Sequence, residues 1–268
     1  MKKYILDMVV KSIEHYANGY ALLKMGMASP SEALPTVAPG QFVQIRIDET
    51  PEVMLRRPVS INFVDYDAGE LWLLVHGIGA GTKWIISRKP QNTLNVILPL
   101  GNGFTMPAPT HQSTSSDGTE HPMLLVGGGV GIAPLLYLAK ALQEQGHKVY
   151  ALLGARSAND ILQRELFERY ATVCITTEDG SLGQKGLVTQ HTIWDEQLFA
   201  EVFTCGPKPM MRAVAQLAQT KQLACQASLE NMMACGLGAC LCCVQDTTQG
   251  HLCVCQDGPV FDTQLIKW

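Results

Sequence analysis

No stretch of this 268-residue sequence stays apolar for the roughly 18 residues that a membrane-crossing helix needs. Basic charge is scarce as well. Lysine and arginine number 20 against 24 aspartates and glutamates, a formal net charge of −4, which argues against nucleic acid or an anionic membrane as the main partner. The N-terminus lacks the apolar core of a secretory signal, because Asp7 and Lys11 interrupt "MKKYILDMVVKS", and the stretch reads as a strand. These absences point to a cytoplasmic chain, in a compartment where disulfides are rare. Also missing are a His-x-x-x-His spacing among the seven histidines, an internal repeat, and a convincing general base or nucleophile motif for an organic substrate. What is present is ordinary for a globular protein: 47% hydrophobic and 16% charged residues, enough to bury a core in one large or two modest domains.

The first hundred residues carry short strand signals. "QFVQIRI" (41–47), "VSINFVDY" (59–66) and "LWLLVHGI" (71–78) alternate or run apolar, with Gly, Pro and Asp at the breaks. They predict a small antiparallel β-barrel or sandwich over residues 1–106, with a long loop at 28–40. Residues 107–122 lie in a polar stretch rich in Pro, Ser and Thr and predict a linker or insertion. The pattern then changes to strand, glycine turn, helix, strand, which predicts an α/β domain with a doubly wound parallel sheet over 123–222. Its first helix runs from about Ala133 to Gln145. Residues 223–268 lose that alternation and form a small cysteine-rich C-terminal module.

Two glycine turns follow buried strands in the second half. "LLVGGGVGIAP" places Gly127, Gly128, Gly129 and Gly131 between a strand and a helix start, where a phosphate can approach the backbone and meet free N–H groups. It is not the G-x-G-x-x-G pattern, and a merely tight turn is the bland alternative. "TCGPKPMM" supplies Cys205 and Gly206; Cys205 either faces a cofactor ring or is a plain buried thiol. In the front half, "LRRPVSI" places two arginines and a serine on a strand, a fork suited to phosphate but equally to solvent.

Six of the nine cysteines follow Met233. The spacing Cys235-x4-Cys240-x2-Cys243, followed by a later cysteine, is that of plant-type [2Fe–2S] proteins. Gly236 and Gly238 let the backbone curl with its N–H groups toward the sulfurs. Zinc would need a C-x2-C pair in each half. Cys240 and Cys243 make one such pair, but Cys253 and Cys255 are too close to make the other. The residues leave Cys253 and Cys255 as rivals for the fourth position. Cys242 is expected to point elsewhere, and Cys174 and Cys225 to be core thiols.

The order "RRPVS", "GIGAGT", "LPLGNGF", "VGGGVGIAPL", "CGPKPMM" resembles the ferredoxin–NADP reductase superfamily. The tail, "ENMMACGLGACLCCV" with "CVCQDGPVF", resembles more narrowly the electron-transfer subunits of type B dihydroorotate dehydrogenases. The resemblance spans nearly the whole chain, the 106–122 stretch being the main departure. It implies FAD on the barrel, with Arg57, Pro58, Val59 and Ser60 matching one flavin motif and Gly81 and Thr82 another. It implies a nicotinamide site at Gly127, Gly128, Gly129, Gly131, Cys205 and Gly206. Because the family's last ligand precedes x-D-G-P-V-F, it implies that Cys235, Cys240, Cys243 and Cys255 hold a [2Fe–2S] cluster.

The resemblance further implies a partner, an FMN-containing catalytic subunit that oxidises dihydroorotate to orotate for pyrimidine biosynthesis, in a heterotetramer of two of each chain. Electrons would pass through the cluster and FAD to NAD+. No clear arginine cluster for a 2′-phosphate follows the second strand of the glycine half, where Arg156 stands nearby, and NAD rests on the resemblance. Three rivals stand beside this reading: a reductase subunit of a related sulfide dehydrogenase or ferredoxin:NADP oxidoreductase, a non-enzymatic iron–sulfur redox sensor, and a zinc-stapled binding module.

Overall fold

Alternation of apolar and polar residues closes the first hundred residues on themselves. In the computed structural model, which describes residues 2–29, 31–108 and 121–268, β1 (Tyr4–His15), β2 (Tyr20–Met27), β3 (Phe42–Ile45), β4 (Arg57–Asp65), β5 (Glu70–His76) and β6 (Thr93–Leu100) form a closed antiparallel barrel in the order β1-β2-β5-β4-β3-β6. Closure leaves no sheet edge to pair with another chain. The long β1 serves both β2 and β6, and its register on β2 slips between Val10 and Ser12, the kind of bulge that lets a strand bend around a barrel. Met8, Val10, Met25, Ile45, Leu73 and Val96 are fully buried. A short helix, α1 (Ala80–Ile86), follows β5.

The second half builds a seven-stranded sheet. Its elements are β7 (Met123–Gly128), α2 (Ala133–Glu144), β8 (Val149–Ala155), α3 (Arg164–Phe167), β9 (Thr172–Thr177), β10 (Gln184–Lys185), α4 (Ile193–Glu196), β11 (Glu201–Cys205), α5 (Lys208–Thr220) and β12 (Ala224–Ser228), with β15 (Val260–Asp262) at its edge. The order is β10-β9-β8-β7-β11-β12-β15, parallel throughout except between β12 and β15. Every residue of β7 is buried, as expected of a parallel strand covered on both faces. The chain steps from β7 to β8 on one side and later returns to lay β11 on the other. That places a topological switch point between β7 and β11, where such sheets bind ligands. Leu124, Val126, Leu152, Val202 and Val214 form the core with Trp194, whose Nε1–H donates to the Val188 carbonyl at 2.8 Å.

The remaining strands, β13 (Val244–Thr247) and β14 (Gly250–Cys253), make a two-stranded hairpin. The chain divides into two units, Met1–Gly103 with Glu230–Pro259, and Phe104–Leu229 with Val260–Trp268. The module expected at 223–268 is therefore divided. "ACQAS" is a buried strand of the parallel sheet, and residues 260–262 return to pair with it. The barrel's expected limit at 106 moves to 103. Phe104 packs edge-on against Phe203 at 5.7 Å, and both backbone groups of Thr105 bond the Gln226 side chain, so these residues belong to the sheet unit. Of the linker expected at 107–122, residues 109–120 lie outside the described residues. Cys174, expected in the core, is only half-buried on β9.

Candidate functional site

Residues 230–243 have no regular ladder, and their backbone is organised by sulfur. Gly236 and Gly238 have φ of +68° and +83°, a region costly for residues with a Cβ. That twist turns the Leu237 N–H onto Cys235 Sγ at 3.3 Å and the Gly238 N–H onto Cys255 Sγ at 3.1 Å. The Cys255 N–H in turn donates to Cys243 Sγ at 3.4 Å. Burial opposes ionisation of Cys235, but N–H groups of Leu237, Cys240 and Ala239 and the Cys240 thiol outweigh it and bring the Cys235 thiol down to about 6. Burial pushes the Cys255 thiol up to about 12, together with its hydrogen bond to Cys243 and the charges of Cys243 and Cys235. These bonds bring together Cys235, Cys240, Cys243 and Cys255.

The other two tail cysteines stand differently. Cys253 is near enough to feel the charges of Cys243, Cys235 and Cys240, which add to burial in raising its thiol. Its backbone N–H is tied to Asp257 Oδ2 at 2.6 Å. Cys242 is exposed, and so is Cys240, so exposure does not separate the two. No disulfide joins any cysteines among the described residues. Among those residues no three His, Cys, Asp or Glu side chains close on one ion position. A two-iron cluster spreads four thiolates over two metals and needs a wider arrangement than one ion does.

Three supporting residues were missed in the sequence because nothing in their type announces them. Asn102, in "LPLGNGF", donates through Nδ2 to the carbonyls of Gln256 and Asp257 at 2.9 and 3.2 Å, and its N–H reaches the Gly258 carbonyl at 2.6 Å. It clamps the arm that follows Cys255. Asp257 closes the turn, accepting from Cys253 while its own N–H donates to the Cys253 carbonyl at 2.7 Å. Gln44 of β3 is fully buried and packs against Gly236, where a Cβ would meet its Nε2 at 2.7 Å.

The two arginines of "LRRPVSI" separate in role. Arg56 is used up by structure, its guanidinium donating to the Gln44 and Asn95 carbonyls at 3.3 and 3.0 Å and to Asn95 Oδ1 at 2.5 Å. Arg57 instead packs on Gly81 of α1, where a Cβ would meet Nε at 2.6 Å. Thr82 ties off the same turn, accepting from the Gly79 N–H and donating to the Gly79 carbonyl, both at 3.1 Å. Arg57, Gly81 and Thr82 are thus brought to one turn. Pro58, Val59 and Ser60 continue along β4, paired with Gln44, Val43 and Phe42 of β3.

At the switch point of the sheet the two glycine turns meet. A Cβ on Gly131 would strike Gly206 Cα, with Gly206 N at 2.5 Å and the Cys205 carbonyl carbon at 2.7 Å. A Cβ on Gly128 would meet Met210 Sδ at 2.6 Å, and one on Gly127 would meet Ile132 Cγ2 at 2.8 Å. Gly129 has φ of +56° and opens a 3-10 turn that leads into α2. Cys205 is fully buried at the end of β11. The structure therefore brings Gly127, Gly128, Gly129, Gly131, Cys205 and Gly206 together at the carboxyl ends of β7 and β11, with the Met210 side chain packed on Gly128 and Gly206.

Residues 230–267 match the family model described as the iron–sulfur cluster binding domain of dihydroorotate dehydrogenase B, and residues 125–216 match the oxidoreductase NAD-binding domain. Two relatives bear the name dihydroorotate dehydrogenase B (NAD+), electron transfer subunit. The one from Shouchella clausii is 37% identical over 257 residues, covering 94% of each chain. The one from Caldanaerobacter subterraneus is 40% identical over 230 residues, 83% of this chain and 84% of that one. A solved NADH-dependent reduced ferredoxin-NADP oxidoreductase, studied for flavin-based electron bifurcation, aligns with a TM-score of 0.83 and 30% identity, covering 100% of this chain and 92% of that one.

Proposed function

The chain belongs to the family of dihydroorotate dehydrogenase B electron transfer subunits, and from that premise we propose that it carries electrons from a partner FMN subunit, where (S)-dihydroorotate becomes orotate, to NAD+. The observation that carries this reading is the N–H···S network at Cys235, Cys243 and Cys255, inside the segment that matches the iron–sulfur model. Nicotinamide exchanges electrons as a hydride pair and a [2Fe–2S] cluster exchanges them singly, while a flavin does both, so the three groups together convert one currency into the other.

In this proposal Cys235, Cys240, Cys243 and Cys255 hold the cluster. Cys255 is preferred to Cys253 because its sulfur, fully inside the segment, receives the Gly238 N–H and its own N–H faces Cys243. Arg57, Pro58, Val59 and Ser60 hold FAD, with Arg57 and Ser60 near its phosphates, and Gly81 and Thr82 form a second flavin-binding turn. The backbone of Gly127, Gly128, Gly129, Gly131 and Gly206, with Cys205 behind it, receives the nicotinamide dinucleotide. Exposed Met232, Leu237 and Leu241 on the cysteine segment offer an apolar face to the catalytic subunit. Two copies of each chain would make the complex, in the cytoplasm. No helix among the described residues is long and apolar enough to cross a membrane.

The test is copurification with the FMN subunit, followed by an absorbance spectrum and an assay of dihydroorotate-dependent NAD+ reduction. Flavin and iron–sulfur absorbance with that activity is expected; protein free of both groups would sink the reading. The likeness to the ferredoxin-NADP oxidoreductase favours a second reading, a subunit serving reduced ferredoxin. Reduction by ferredoxin, with no response to dihydroorotate, would decide for it.

A further inference from the structure

Gln44 poses an unanswered question of hydrogen bonding. It sits in β3, fully buried, and neither Nε2 nor Oε1 of its side chain has a hydrogen-bond partner among the described residues. An amide buried without partners forfeits the hydrogen bonds it made to water, so such a group in a folded protein calls for an explanation. Space-filling alone does not supply one, because a leucine or methionine would fill the same volume without that cost.

Its surroundings narrow the answer. On one side Gln44 pairs across the ladder with Pro58, within the strand proposed to carry the flavin. On the other it packs against Gly236, the residue after Cys235. Of the side-chain atoms there, Nε2 lies closest to the position a Gly236 Cβ would take, ahead of Cγ at 2.9 Å and Cδ at 3.1 Å. The donor end of the amide thus faces the cysteine loop. Gly236 keeps that approach open, since a side chain there would collide with the amide.

We propose that Gln44 is a cluster-tuning residue: its side-chain amide donates a hydrogen bond to the sulfur of the [2Fe–2S] group held by the Cys235–Cys255 set. This rests on the cluster assignment made above. Hydrogen bonds to cluster sulfurs are one of the determinants of reduction potential. A donor stabilises the reduced cluster more than the oxidised one, because the reduced form carries one more negative charge. Removing it makes the cluster harder to reduce.

The experiment is a redox titration of the complex purified with its catalytic subunit, the cluster followed by EPR and the flavin by absorbance, for wild type, Gln44→Met and Gln44→Leu. A tenfold less favourable reduction of the cluster is expected in each variant, which for a one-electron couple is about 59 mV to the negative side. An unmoved cluster potential in a variant that has its cluster overturns the inference, and so does a shift confined to the flavin. Should neither variant assemble a cluster, wild-type geometry decides. Protein labelled with ¹⁵N in its glutamine side chains, in a Gln245→Met, Gln256→Met background that removes the glutamine amides after Cys243 and beside Gly238, should show ¹⁵N coupling to the reduced cluster in pulsed EPR. No coupling overturns the inference. Wild type containing no iron would instead overturn the cluster assignment itself.

Discussion

Two glycine-rich loops in this molecule lean on the same residue in different measure, the first adding dihedral freedom at two positions to the clearance that both require. In the cysteine loop of the barrel unit, Gly236 and Gly238 are needed for their dihedral angles, positive φ turning successive N–H groups toward sulfur, and also for clearance from the Gln44 and Gln256 side chains. In the turn after β7, Gly127, Gly128 and Gly131 are needed for what they lack, because any Cβ would run into neighbouring atoms of the same unit. The first loop has no ladder of its own. The second is anchored on both sides, β7 being paired residue by residue with β8 and β11. A loop shaped by dihedral angles depends on what it wraps, whereas one shaped by steric exclusion depends on a rigid frame.

The sharpest way to separate the two loops is to remove what the first one wraps. Cys255→Ser should abolish the iron–sulfur absorbance while leaving NADH-dependent flavin reduction in place; Cys253→Ser should keep both, and the reverse result would reassign the fourth ligand. Next in size is Gly131→Ala. Overpacking against Gly206 costs about 1–3 kcal/mol, so kcat/KM for NADH should fall roughly 5- to 150-fold with the cluster spectrum intact. Gly238→Ala is the converse. A Cβ at that φ costs about 1–2 kcal/mol, so the cluster should be lost to a chelator roughly tenfold faster, with flavin reduction by NADH unchanged.

Smaller effects come from the supports. Asn102→Ala removes the clamp on the arm after Cys255 and should cost about 1 kcal/mol, read as a drop of a few degrees in melting temperature. The smallest concerns Glu201 at the start of β11, the strand that leads to Gly206. Burial holds its carboxyl above the ordinary range; the Gln226 amide, donating at 2.8 Å, offsets this in part, and Asp262 adds to it. The folded protein therefore binds that proton more tightly than the unfolded chain. The resulting stability is full below the ordinary carboxylate pKa and is lost as pH rises through the raised one. Glu201→Gln should gain melting temperature relative to wild type between pH 4 and 7; no change in that difference would refute the assignment.

Much of the architecture could be read from residue patterns, since period-two alternation and continuous apolar runs report burial directly. The barrel strands at 57–65 and 70–76, the buried β7, and the helix starting at Ala133 all stand close to where those patterns put them. The division of the tail was not legible. "ACQAS" is five residues long, and three residues at 260–262 give no periodic signal; only pairing across the sheet makes them strands. The proposed site rests on chemistry-bearing types whose spacing the sequence displays, the cysteines and glycines. Gln44, Asn102 and Asp257 were not legible, since their roles arise from neighbours distant in sequence. Arg56 and Arg57 look equivalent in the chain and were separated only by Asn95 on one side and Gly81 on the other.

The return of the chain at Val260 has a consequence for biosynthesis. A ribosome delivers residues in order, and domains tend to fold as they emerge, the N-terminal ones first. The strands of the barrel have all been made by Leu100, but β12 must wait until residue 262 has been made before β15 covers its outer edge. In that interval of a few dozen residues, the nascent sheet presents an unpaired strand edge, the kind of surface that templates aggregation. The cysteines are synthesised within the same interval. The sealing of the sheet thus waits until the whole cysteine segment has been made.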